Sequence, residues 1–158
     1  MSADSAKVVE IINGTKIGMF TTVDESGALV SRPLAVQEVK DDGDLWFITD
    51  KDTSQVTQLA RQGKVNVSFS SRSEWVSVSG TATVVQDMAK TKELWNQVVE
   101  AWFPDGPETP GVVLIHVESD SAEYWDSPGG TLATVISWVK SRVTGKRMEA
   151  GESHTTEL

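Results

Sequence analysis

With 158 residues and a net charge of −9, from 23 acidic and 14 basic side chains, the chain fits one domain that buries about 68–70% of its extended surface. The acid excess disfavours nucleic acid and anionic membrane, which need clustered lysine and arginine. The absence of cysteine excludes disulfides, thiolate metal sites and a cysteine nucleophile. The opening MSADSAKVVEIING has no basic segment leading into an apolar block, so it does not read as a secretory signal. No apolar run approaches the ~20 residues of a membrane span; the expectation is a soluble cytoplasmic protein. Six tryptophans against one tyrosine supply large flat rings for a core, a subunit interface or a pocket for a flat ligand. Core and interface are expected to absorb most of them.

In chain order, Ala6 to Ile12 reads as a short helix stopped by Asn13-Gly14. IGMFTTVD and ALVSRPLAVQEV follow as a hairpin joined through Glu25-Ser26-Gly27. Pro33 lacks an N–H and implies an edge position or a bulge. Asp41-Asp42-Gly43-Asp44 turns the chain into LWFIT, a third strand. A helix over 53–61 comes next, with Asp52 as cap, Gln55 completing a capping box and Gly63 beyond the end. KVNVSFS alternates as a strand, and EWVSVSGTATVVQ is a long strand in which Gly80 marks a bulge or close backbone approach. Residues 87–103 read as one helix ending at Trp102-Phe103. A proline-rich loop, FPDGPETPG, leads to two strands, VVLIHVES and AEYWDS. Thr131 is read as the cap of a last amphipathic helix through Leu132, Val135, Ile136 and Val139, and from Met148 the chain is polar and expected to be mobile. Hairpins dominate and helices are few. The fold class is α+β, built on a small antiparallel barrel or strongly curled sheet.

The inventory of reactive groups is short. Two separated histidines, His116 and His154, make no metal motif, and His116 on an alternating strand reads as an ordinary hydrogen-bonded residue. There is no nucleophile elbow, no G-x-G-x-x-G and no P-loop. The acid pairs Asp24-Glu25 and Asp41-Asp42 sit in turns and read as solvated. What remains is the polar stretch inside LWFITDKDTSQV, residues 45–56. The N–H groups at the start of the 53–61 helix suit an anion, with hydroxyls of Thr49, Thr53 and Ser54 and the charge of Lys51 beside them. On these residues alone, a capped helix end and a phosphate cradle are both open readings.

FTTVDESGALVSRPL, LWFITDKDTSQV, WVSVSGTA and AEYWDSPGG, in that order and spacing, resemble the flavin-binding split-barrel proteins related to pyridoxamine 5′-phosphate oxidase, and within them the general stress protein 26 branch. The resemblance covers roughly residues 6–147, so the chain is read as a flavin-binding domain over 1–147 and a polar tail over 148–158. It implies a six-stranded antiparallel split barrel with flanking helices, paired as a homodimer with flavin mononucleotide (FMN) in each groove between subunits. Carried over, Arg32 reaches the phosphate or ring edge, Pro33 and Leu34 line the ring, and Ile48 and Thr49 stand where the third strand meets ring and phosphate. Trp75 contacts the flavin from the fifth strand, and Trp125 approaches it from the partner subunit.

The sequence departs from that pattern at Ser54 and Gln55, where relatives commonly carry one or two cations that grip the phosphate. Losing one charged hydrogen bond removes about 1.5–3 kcal/mol, roughly ten- to a hundredfold in affinity. Lys51, Thr53 and Arg32 then carry more of the hold, and FAD or a deazaflavin become alternative ligands. The implied function is a flavin-binding protein of stress response, with a low-specificity oxidoreductase as the enzymatic form. No residue stands out as a catalytic acid or base, and no basic set suits a pyridoxal phosphate substrate, so the parent oxidase activity is not expected. Cofactor storage, or a barrel that has lost its flavin, are the rival readings.

Overall fold

The structure is a computed structural model that describes residues 2–127 and 153–158. Its elements are α1 (Ala3–Thr15), β1 (Ile17–Val23), β2 (Leu29–Val39), β3 (Leu45–Asp50), α2 (Ser54–Arg61), β4 (Lys64–Ser70), β5 (Glu74–Val85), α3 (Met88–Leu94), α4 (Gln97–Trp102), β6 (Val112–Asp126) and β7 (Ser153–Glu157). All strand pairings are antiparallel, in the order β3-β2-β1-β4-β5-β6-β7, and β3 pairs again with β6. That second pairing closes β1 to β6 into a six-stranded barrel, the expected fold class. Among the described residues no helix is long and apolar enough to cross a membrane.

Alternation places the inward side chains. Leu45, Phe47 and Thr49 of β3, Val65, Val67 and Phe69 of β4 and Val76, Val78 and Ala82 of β5 are buried, as a period of two requires. Phe20 and Phe47 meet edge to face at 5.3 Å and 81°, a favoured geometry for aromatic pairs. A six-stranded barrel is narrow, and phenylalanine, valine and leucine fill it. None of the five described tryptophans is fully buried in the core; Trp46, Trp95 and Trp125 are half-buried, and Trp75 and Trp102 are exposed. Helix α1, capped by Ser2 Oγ accepting from Ser5 N at 3.0 Å, adds Val8, Ile11 and Ile12 to that core.

Several element boundaries differ from the sequence reading. Helix α1 runs past Asn13-Gly14 to Thr15, and Lys16 at φ 67° makes the turn into β1. The single helix expected over 87–103 is two, because Asn96 breaks it. Its Oδ1 accepts from Val98 N at 3.0 Å and Val99 N at 3.1 Å, capping α4 afresh. The two strands expected after residue 111 are one, β6, kept continuous by a register shift opposite Ser79/Gly80. Part of the polar tail expected to be mobile forms β7, paired to β6 from Ser121↔Glu157 to Trp125↔Ser153. The helix expected from Thr131 lies outside the described residues.

Both special residues in strands behave as expected. Val36 N donates to Lys16 O at 2.8 Å, so even-numbered residues of β2 bond to β1 and the Pro33 nitrogen faces away from it. On that side β3 pairs only with Val36–Val39, which leaves Pro33 on an open edge. At Gly80, an added Cβ would stand 2.2 Å from Glu118 O, so the strands approach there as only glycine allows. Gly80→Ala is therefore expected to destabilise the fold by about 1–3 kcal/mol, the usual range for overpacking, read as a lower urea midpoint at unchanged slope.

Candidate functional site

The β2–β3 ladder ends early, and that opening creates the site. β2 pairs with β3 at Val36↔Phe47, Glu38↔Trp46 and Val39↔Leu45, with Gln37 as the extra residue of a bulge. Beyond Val36 the strands diverge while β3 stays paired to β6 as far as Asp50↔Val112. Continuing the register sets Ala35 and Leu34 across the gap from Ile48 and Thr49. Arg32, Pro33 and Leu34 thus form one lip of a split, and Ile48, Thr49 and Lys51 the other.

Helix α2 follows β3 directly, packs against β1 and β5, and reaches Arg32 through Gln58. The expected cap is corrected: Thr53, not Asp52, is the N-cap, and it makes no side-chain capping bond. Its Oγ1 donates instead to Asp50 O at 2.7 Å. No capping box forms either, because Gln55 turns inward. Its Nε2 donates to Thr49 Oγ1 at 3.0 Å, and both residues are only 6% exposed. Among the described residues the first N–H groups of α2 therefore have no side-chain acceptor, and the Thr49 hydroxyl, already accepting, keeps its own proton to give. Ser54 is exposed beside them. Lys51 is exposed and paired to Asp52 at 2.9 Å, a bond that pushes its pKa up, so its charge is largely answered.

Arg32 is the contrasting cation. Its Nη1 donates to Thr22 Oγ1 at 2.6 Å and to Phe20 O at 3.3 Å, and its Nη2 to Gln58 Oε1 at 2.9 Å. Every partner is neutral. No carboxylate pairs with Arg32 among the described residues, and burial pushes its pKa down from the ordinary value, though an arginine stays charged. Thr22 is fully buried, and its Oγ1 donates a hydrogen bond to Gln58 Oε1 at 2.5 Å. Thr22 and Gln58 were not singled out from sequence. An alternating strand marks Thr22 as inward, which is the one signal that could have found it.

Trp75 and Trp125 stand apart from this group. They are cross-strand neighbours on β5 and β6, and β1 and β4 lie between β5 and β2 in the sheet. Within one chain they do not meet the split. Trp75 is exposed, on the same outer surface as Ile17 and Met19. His116 behaves as the ordinary residue expected, with Nε2 2.8 Å from Asp44 Oδ2 and its ring stacked on Trp46 at 4.3 Å. Asp24 and Asp42 accept from their own turn backbones, as solvated turn acids do. No group of three His, Asp or Glu side chains among the described residues could hold a metal ion.

A six-stranded barrel split between its second and third strands defines the split-barrel class. The chain belongs to the family described as "Pyridoxamine 5'-phosphate oxidase like", which it matches over residues 3–149. Protein bli-3 of Neurospora crassa is 33% identical over 147 residues, covering 85% of this chain and 70% of that protein. Two solved structures share the fold. A protein assigned to general stress protein 26 of Jannaschia sp. CCS1 superposes with a TM-score of 0.77 at 24% identity, over 99% of this chain and 100% of its own. The general stress FMN/FAD binding protein of Xanthomonas citri gives 0.66 at 28% identity, over 77% and 87%.

The Thr22–Arg32–Gln58 network stabilises the lip independently of any ligand. Gln58→Leu strips the acceptor from two donors, one of them fully buried, and is expected to cost about 1–3 kcal/mol in urea unfolding, although Gln58 itself is only half-buried.

Proposed function

We propose that this protein binds a flavin, FMN in first place and FAD or a deazaflavin as alternatives, in the split between β2 and β3. The observation that carries this reading is Arg32, a partly buried guanidinium with only neutral partners in a chain of net charge −9. A desolvated charge without a counter-ion is costly, and an anionic ligand relieves that cost. The residues present fit such a group. Arg32, the Thr49 hydroxyl and the first N–H groups of α2 suit a phosphate, while Pro33, Leu34 and Ile48 give the lips an apolar lining for a ring. Family membership and the FMN/FAD binding of the Xanthomonas citri relative support the same ligand.

The flavin, when bound, supplies the redox chemistry, and the chain holds it, orients it and keeps water from one face. A low-specificity oxidoreductase acting in stress response accords with the relatives' names. A storage or exchange role is the second reading, and the neutral pair Ser54–Gln55 favours it, because a weaker hold on phosphate gives up the cofactor more readily. Pyridoxamine phosphate oxidation itself is not proposed, since Lys51 is answered by Asp52 and no further basic cluster borders the split among the described residues. NADH or NADPH oxidation by the anaerobic holoprotein separates the two readings.

We also propose a homodimer in which Trp75 and Trp125 close each split from the partner. The exposed row of Ile17, Met19 and Trp75 lies on a face otherwise lined by small polar residues such as Ser68 and Ser77, flat enough for a second copy. Light scattering is expected to give twice the chain mass; a monomer at micromolar concentration would contradict the pairing.

Titration of the purified protein with FMN, FAD and riboflavin tests the ligand, and failure of all three to bind would sink it. Arg32→Gln, which keeps a donor for Gln58 but removes the charge, is expected to weaken FMN by about 1.5–3 kcal/mol, ten- to a hundredfold, with little change for riboflavin. Gln55→Lys sets an ammonium in a buried site. The ligand-free variant should melt at a lower temperature than the parent, and saturating FMN should restore the loss and bind more tightly than in the parent.

A further inference from the structure

One edge of the long strand β6 is shared between two partners. β3 covers it from Val112 to Val117, and β7 from Ser121 to Trp125. Residues 127–152 separate β6 from β7, too many for a hairpin turn to fix how the two strands register. The strands must fix it themselves, through backbone bonds and alternate side chains.

Leu158 N donates to Asp120 O at 3.2 Å, so these two opposed residues form a hydrogen-bonded pair. Alternation along an antiparallel ladder then turns the N–H groups of His154, Thr156 and Leu158 toward β6, and those of Ser153, Thr155 and Glu157 away from it. The first three also share a side-chain face. His154 stands opposite Tyr124 and Thr156 opposite Ala122, and both β6 residues are buried. The His154 and Tyr124 rings stack at 5.0 Å and 20°, and the Tyr124 hydroxyl donates to Asp4 Oδ1 at 2.9 Å, which fixes that ring. Leu158 packs against the hydrophobic core and ends at Gly43, where an added Cβ would stand 2.7 Å from its Cδ1. The turn that supplies Gly43 is pinned to β6, since Ser119 Oγ donates to Gly43 O at 2.8 Å and Ser119 N to Asp44 Oδ1 at 3.0 Å. Ser153, Thr155 and Glu157 are exposed.

We propose that this edge of β6 is a binding site for an extended polypeptide of the pattern His-x-Thr-x-Leu, and that residues 153–158 are its ligand held in cis. Main-chain bonds supply the hold, while the positions over Tyr124, Ala122 and Gly43 select alternate side chains. The contact is autoinhibitory: while it holds, the same segment of a second copy cannot dock. β7 is itself short and polar and carries Glu157 on its outer side, features that discourage a further strand. The proposal does not depend on the flavin reading.

Amide hydrogen exchange of the full-length protein, followed by NMR, tests the placement. In the parent, Ala122 and Tyr124 are expected to be protected. Thr156→Pro removes a donor to β6, and Leu158→Asp sets a charge against the core. Each should speed exchange at those two amides about ten- to a hundredfold. Thr155→Pro changes only the outer side and should alter it by less than about threefold. Equal effects of the two proline variants, unprotected Ala122 and Tyr124 in the parent, or unchanged exchange in Leu158→Asp would each overturn the proposal. A labelled peptide of residues 152–158, ESHTTEL, then tests recognition by fluorescence anisotropy. It is expected to bind the Leu158→Asp chain at least about tenfold more tightly than the parent, whose site is filled, and a peptide with aspartate in place of its leucine should not bind. Failure of ESHTTEL to bind the opened chain overturns the site as a receptor for peptide.

Discussion

All six residues of β3, Leu45 to Asp50, pair with β6, whereas only Leu45 to Phe47 pair with β2. That unequal pairing governs what the rest of the molecule can be. Had β2 followed β3 to its end, the barrel would be sealed and its surface would offer no concavity. Because it does not, two runs of backbone polar groups are left on facing lips, and each needs a partner. The chain manages part of this itself. Pro33 removes one donor from the open edge, and Ala35 O accepts from Gln37 Nε2 at 3.1 Å. The β2 bulge at Gln37 fixes where the opening begins. The open half stays available to a ligand without inviting a foreign strand.

Electrostatics then decide what kind of ligand the opening suits. The chain carries nine excess negative charges, and among the described residues Lys16, Lys64 and Arg72 are exposed cations without an ion pair, whereas Arg32 is a partly buried one. Lys7, Lys40, Lys51, Arg61, Lys90 and Lys92 each pair with an acid. Arg32 instead spends its donors on a hydroxyl, a carbonyl and an amide. Such partners orient the fork without cancelling its charge. Placed about one turn along α2 from its bare N-terminus, that charge adds to the helix-end N–H groups rather than competing with them. The polar knot at 49–55 is thus two things at once. Thr53, Gln55 and Thr49 are committed inward to shape, and the backbone they expose is free for an anion.

Much of this was legible from residues alone, and the failures have physical causes. The strand reading located β1 to β5 and both halves of β6, which it divided in two, because one buried face imposes a period of two. Pro33 and Gly80 were read correctly because each has a single steric consequence. Asp52 was misread as the cap because propensity cannot see that Asp50 O would draw the Thr53 hydroxyl and set the helix start one residue later. The break at Asn96 was missed since asparagine is tolerated inside helices, and only its bond to Gln37, 59 positions away, makes capping the better option. Gln55 was read as completing a capping box in a position where relatives carry a cation, and it is instead buried through its bond to Thr49, a contact across an element boundary. Trp75 and Trp125 were grouped with Arg32 only through resemblance, and one chain keeps them apart.

The neutral Gln55 has a consequence for how the split is held when empty. A lysine at a position only 6% exposed would demand a counter-charge at all times, so the free protein would be strained toward its ligand. Glutamine satisfies Thr49 and asks for nothing more, and the ligand-free lip is stable through the Thr22–Arg32–Gln58 network instead. On the flavin reading proposed above, that exchange lowers affinity for the anionic tail, while tolerance of the empty state rises. On the same reading, the balance shifts weight from the phosphate onto contacts with the ring, which makes the two lips of the split the part of the structure on which ligand choice depends.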